Sequence, residues 1–219
     1  MNDSPYLVIA VATTGLFTET YKPKLLELAS VLVSPQDDHV FRNTSLGRFH
    51  TLVKQPSGVH DTVQARQAQR FHRITPEMSE NGWLEGEARE AFRAWREGIN
   101  DILFDRQLVL TGWRAYNRDF VQSVLAGEEW RQALGGYAQP GRCVMDEASD
   151  IIGGQGALEQ RWDGSYRYPS LKMATEWLRG RKHSIPAPTG RAEGAADTVA
   201  QVCLALRREH QTALQRTAP

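Results

Sequence analysis

The order of apolar runs along the chain predicts an α/β fold: a mixed β-sheet, its first three strands antiparallel, flanked by α-helices. Two observations carry this. Three β-rich runs, at 5–12, 25–33 and 48–53, come first in the 219 residues, and helical and strand-like stretches alternate after them. No internal repeat, low-complexity tract or Pro/Gly/Ser linker divides the sequence, so 1–219 reads as a single domain able to bury one sizeable core.

Each element has its own signal. Residues 5–12 are apolar and β-rich, and the run stops at the turn Thr13-Thr14-Gly15-Leu16. Side chains alternate along a strand, so Ala10 and Ala12 share one face. Residues 25–33 read as a second strand, buried on part of both faces, and the polar stretch 34–46 as a hairpin loop. A third strand covers 48–53. Helices follow near 60–71 and 86–103; the latter sets Ala88, Ala91, Phe92, Trp95, Ile99 and Ile102 at helical spacing. Residues 107–111 form a strand, and 119–125 open a helix. The last strand is expected at 142–145, with helices at 146–152, 170–178 and 192–214.

Composition narrows the class. Lys plus Arg and Asp plus Glu are both 26, for a formal net charge of zero, whereas an autonomous nucleic-acid binder usually carries a basic excess. No apolar run approaches ~18 residues, so no transmembrane helix and no membrane partner are expected. The N-terminus lacks a basic-then-apolar signal pattern. Cys143 and Cys203 stand far apart without metal-ligand spacing, which predicts reduced, buried thiols and a cytoplasmic setting.

Four segments carry a resemblance that covers nearly the whole chain. They are Tyr6 to Leu16, Phe71-His-Arg-Ile-Thr-Pro-Glu-Met78, Val109 to Val121, and Gly190-Arg-Ala-Glu-Gly-Ala195. Together they resemble the motifs of the DEDDh 3′–5′ exonucleases, the superfamily of proofreading subunits and RNase T, which has a ribonuclease H-like fold. Cys143 to Asp146 and Arg167 to Lys172 resemble two further segments of that family. Thr75 and Pro76 also suit a helix start, as N-cap and first helical residue.

What the resemblance implies about chemistry is a loss. The family's Asp and Glu of the first motif fall on Ala10 and Ala12. The second motif puts its Asp on Asn117 and its Phe on Tyr116, while the third puts its histidine on Gly190 and its last Asp on Ala195. A frame shifted by two puts Asp197 on that last position, but then Ala192 replaces the histidine. The family's reaction uses two divalent ions about 4 Å apart, held by carboxylates, with a histidine to deprotonate water. Alanine and glycine supply neither, so no metal and no cofactor are expected.

The implied function is a pseudo-exonuclease, catalytically inactive, kept as a binding or scaffolding module in a nucleic-acid-processing assembly. Neutral charge favours a protein partner in a replication, repair or similar machine, with single-stranded nucleic acid as a further ligand. By resemblance, contacts to nucleic acid fall on Thr13, Thr14, Gly15, Leu16 and His72, and on Arg181 and Lys182; Trp113 and Tyr116 suit either stacking on bases or packing at the rim. The cluster Arg179, Arg181, Lys182, His183 equally suits a helix C-terminus, where cations favour the dipole. Two alternatives stand beside this. One is an active Mg²⁺- or Mn²⁺-dependent exonuclease, disarmed in this sequence or using Asp119 and Asp197. The other is a purely structural subunit.

Overall fold

The computed structural model describes residues 5–16, 18–34, 39–40, 47–102, 109–113, 128–134 and 143–217. Five strands lie among them: β1 (Tyr6–Thr13), β2 (Leu25–Ser34), β3 (His39–Val40), β4 (Arg48–Leu52) and β5 (Val109–Thr111). A 3-10 turn (Ser57–Asp61) precedes seven helices: α1 (Val63–His72), α2 (Pro76–Glu80), α3 (Glu85–Ile102), α4 (Glu128–Ala133), α5 (Val144–Gly154), α6 (Leu171–Gly180) and α7 (Ala192–Thr217).

The sheet is mixed. β1 and β2 pair antiparallel, β4 and β3 share the far edge of β2, both antiparallel, and β5 lies parallel to β1 on its other side. All ten residues of β2 are buried, as a near-continuous apolar run predicts for a central strand.

Each face of the sheet meets helices. On one, Val8, Ala12, Ala29 and Val31 pack with Ala192, Ala196, Val199, Ala200 and Cys203 of α7. Alanines dominate that stripe, and their small side chains let the helix axis come close to the strands. On the other face, Leu7, Ile9, Leu28 and Leu32 meet Ala88, Phe92 and Ile99 of α3 and Trp130 of α4. Phe92 is fully buried and stands edge-on to Phe49, with ring centroids 5.2 Å apart. Trp130 joins that cluster and donates its indole N–H to Glu85 Oε1 at 3.0 Å, so its one polar atom is satisfied.

Helix starts follow capping chemistry. Thr62, Thr75 and Ser170 each accept a hydrogen bond from the backbone N–H three residues on, and Pro76 occupies the first turn of α2.

Two expectations need correction. The last strand expected at 142–145 is not seen in its described part, 143–145: α5 already begins at Val144, with Cys143 as its N-cap residue, and Arg142 lies outside the described residues. Asp146 and Glu147 in its first turn favour the helix dipole, and this outweighs the short β-prone run. The stretch 34–46 is more than a loop, because His39 and Val40 pair with Ser34 and Val33. The helix expected at 119–125 lies outside the described residues.

Candidate functional site

β1 runs with Ala10 and Ala12 toward α7, as strand alternation requires, and both pack in the cluster on that face. Their cross-strand partners on β2 are Ala29 and Glu27. Directly opposed residues point to the same face, so the Glu27 side chain lies beside Ala12, under the start of α7.

Glu27 is fully buried, and its carboxylate is saturated with donors. Arg191 gives its Nε to both oxygens, at 2.9 and 3.1 Å, and its Nη2 to Oε1 at 2.6 Å. His50, on β4, donates Nε2 to Oε1 at 2.7 Å. The Ala192 backbone N–H donates to Oε2 at 2.7 Å, so a strand carboxylate caps the first turn of α7. Burial pushes the Glu27 carboxyl up, but the bonds from His50, Arg191 and Ala192, with the Arg191 charge, overcome it and hold the group at about 2.

Gly190 sits against the end of α1. A Cβ there would lie 1.7 Å from the Phe71 carbonyl oxygen and 3.1 Å from His72 Cα. The backbone of α1 therefore fills the space that any side chain at this position needs. His72 is buried; its Nδ1 accepts the Ile74 N–H at 3.0 Å and its Nε2 has no hydrogen-bond partner. Burial pushes its pKa below the ordinary value, while the Glu27 charge and the Thr13 backbone pull the other way.

Acid should weaken the fold through both groups. A lowered histidine pKa means the unfolded chain binds more protons, so His72 contributes fully above pH 6.5 and progressively less below it. A lowered carboxyl pKa acts in a second window: the Glu27 contribution holds above pH 4.5 and is lost as the pH falls toward 2. Urea midpoints measured across that range should fall on acidification, and Glu27→Gln should flatten the lower limb.

The third segment divides across α7. Asp197 is ion-paired with Arg48 of β4, and Glu193 lies 3.6 Å from the same guanidinium. Two residues along a helix turn about 200°, so Ala195 takes the flank opposite Asp197. Asp119, Asn117 and Tyr116 lie outside the described residues.

Of the expected nucleic-acid contacts, the turn after β1 and His72 lie together: the Thr13 backbone acts on the His72 ring, and Gly15 lies against Gln64 of α1. Thr13 and Thr14 are buried, and Thr14 Oγ1 takes bonds from Tyr21 and the Lys24 N–H, so both threonines brace the turn. Gly15 and Trp113 are partly buried, whereas Leu16 is 76% exposed. Arg181 stacks 4.0 Å from the Trp177 ring centroid and pairs with Glu209 at 3.3 Å; His183 donates to the same carboxylate. Arg179 gives two bonds to the Ile185 carbonyl. Lys182 is exposed, in the left-handed region at φ 67°.

Two divalent ions do not fit the described part of this site. Ala10, Ala12 and Ala195 offer methyl groups, Gly190 offers none, and the Glu27 oxygens are taken. Among the described residues, no group of three or more His, Cys, Asp or Glu is placed to hold an ion.

Sequence reasoning passed over Glu27, His50 and Arg191. The signal was present in Glu27, a lone acid inside an apolar strand run, because a buried charge demands a partner. Its partners are 23 and 164 residues away in sequence and leave no local pattern.

The sheet order, with α7 across β1 and β2, defines a ribonuclease H-like fold. A full-length 3′-exonuclease superposes on it at TM-score 0.61, with 9% identity, over 96% of this chain and 84% of that one. The nuclease domain of 3′hExo, a DEDDh family member bound to rAMP, gives 0.58 at 12% identity, over 98% and 93%. Exonuclease I of E. coli, in complex with an oligonucleotide, gives 0.56 at 15% identity; this chain is covered over 98% but spans only 42% of that enzyme. No family model and no curated protein matches the sequence. At these identities the likeness is one of fold: the chain has the fold of the DEDDh 3′–5′ exonucleases.

Proposed function

We propose that this chain is a catalytically silent exonuclease-fold protein, a single domain kept as a binding or scaffolding module in a nucleic-acid-processing assembly. One observation carries the reading. Where the fold brings β1 to the start of α7, the strand presents two alanines, and the neighbouring carboxylate is spent on Arg191, His50 and a backbone N–H. The remaining candidate acid on α7, Asp197, is tied to Arg48. Neither can replace a carboxylate cage for hard cations.

A protein is the main partner in this reading. The formal net charge is zero, and the basic cluster after α6 is largely spent on Glu209, Trp177 and the Ile185 carbonyl. Contact with a single-stranded end is a secondary role, supported by Leu16 at 76% and Phe71 at 78% exposure, one after β1 and the other at the end of α1. Cys143 and Cys203, buried as free thiols, suit a reducing cytoplasm. Among the described residues no helix is long and apolar enough to cross a membrane.

Calorimetry with Mn²⁺, with and without a single-stranded oligonucleotide, tests this directly. No saturable metal binding is expected in either titration. Tight, stoichiometric binding would restore the enzyme reading and show that other acids serve. Oligonucleotide affinity without metal, falling steeply with salt, would establish the secondary role.

A further inference from the structure

Residues 62–76 hold three arginines and no acid, although the chain as a whole is balanced. This stretch is α1 with its caps, and the arginines lie along it as a row. Arg66 and Arg70 stand one turn apart on the solvent face, about 6 Å along the axis. Arg73 follows at the C-cap, exposed, in the left-handed region at φ 58°. Arg66 gives one bond from Nη2 to the Asp61 carbonyl, at 2.8 Å, and keeps its other N–H groups. The side chains of Arg70 and Arg73 have no hydrogen bond or ion pair among the described residues. The helix dipole explains only part of this row. It favours cations at Arg70 and Arg73 but acids in the first turn, where α1 has none and Arg66 follows.

Phe71, 78% exposed, stands on the next flank of the helix. Gln64 shares that flank, because seven residues return a helix to within about 20° of its starting direction. It touches the turn after β1, where a Cβ on Gly15 would lie 3.1 Å from Gln64 Cβ. The aromatic flank of α1 is therefore the one that faces this turn and exposed Leu16, and the arginine row lies outside it.

We infer that the arginine row of α1 is a track for the phosphates of a single-stranded nucleic acid, with Phe71 as the platform for one of its bases. This deepens the secondary role given above to a single strand, and rests on it. A guanidinium grips phosphate through paired N–H groups, and the turn between Arg66 and Arg70 approximates the step between phosphates on an extended strand. About 100° separates Arg70 from Phe71 around the helix, so phosphates on the row set bases over the aromatic flank. Stacking there suits any base, since each has a π-face. An acidic protein segment matches the cations alone and leaves the exposed ring without a partner.

Fluorescence anisotropy of labelled oligo-dT, in EDTA and over a range of salt, tests the track. Affinity for the wild type should fall steeply with salt. The triple variant Arg66→Gln, Arg70→Gln, Arg73→Gln should lower the slope of log K against log salt by about 2, at ~0.7 per phosphate released on a single strand. Phe71→Ala should weaken binding about tenfold and leave that slope unchanged. All four side chains are exposed, so both variants keep the fold, which circular dichroism checks. A wild type that binds no oligo-dT removes the secondary role and the track together. Binding whose slope is unchanged in the triple variant overturns the track and leaves the secondary role standing. Displacement of oligo-dT by poly-glutamate, with no effect of Phe71→Ala, overturns it in favour of an acidic protein. EDTA keeps every outcome separate from the metal-binding test.

Discussion

Gly190→Ala is expected to destabilise the protein by about 3 kcal/mol, the upper end for forcing a group into a packed site. The added methyl carbon would start 1.7 Å from the Phe71 carbonyl oxygen, an atom fixed by the backbone at the end of α1 rather than by a mobile side chain. Relief requires α1 or the segment before α7 to move. The urea midpoint reads the loss, and an unchanged midpoint would mean that the two segments separate freely. Gly190→His should be worse, since it carries the same Cβ and a ring beyond it. Restoring a histidine here is thus a backbone problem, and supplying carboxylates at 10, 12 and 195 does not remove it.

Glu27→Ala is the second large effect, at about 3 kcal/mol, near the low end for breaking a buried ion pair because Arg191 keeps 31% exposure of its side chain. Three donors lose their acceptor at once: the Arg191 guanidinium, His50 Nε2 and the Ala192 N–H. The pair can be separated from the cap. Glu27→Leu combined with Arg191→Leu removes both charges, and should recover all but about 1 kcal/mol, the usual worth of a helix cap. If the double variant is as unstable as Glu27→Ala, the charge pair is not what the site depends on. Denaturant unfolding of Glu27→Leu, Arg191→Leu, the double variant and the wild type completes the cycle.

Much of the fold was legible in the sequence because its signals are local. β1, β2 and β4 announce themselves by apolar β-rich runs, and Thr75-Pro76 and Ser170 mark helix starts by their own chemistry. The run at 142–145 misled because β-prone residues there are followed by two acids that suit a helix N-terminus, and the helix prevailed. The candidate site was half legible. Motif resemblance marked Ala10, Ala12, Gly190 and Ala195 as positions without a functional group. It was silent on what replaced them, because the Glu27–His50–Arg191 cluster joins β2, β4 and the start of α7 through three dimensions only. The absence of room at Gly190 is likewise a property of a neighbouring backbone, which no residue type at 190 reveals.

The Ala192 N–H that Glu27 caps is 165 residues downstream of it, and this separation bears on how the chain is made. On a ribosome, β1, β2 and β4 emerge early and can pair while α7 is still unsynthesised. Until Arg191 and Ala192 leave the exit tunnel, the central strand carries a carboxylate whose only folded donor is His50. The nascent sheet therefore holds one face open to water, at its most charged point. Arrival of the final helix closes that face and neutralises the strand in a single docking event.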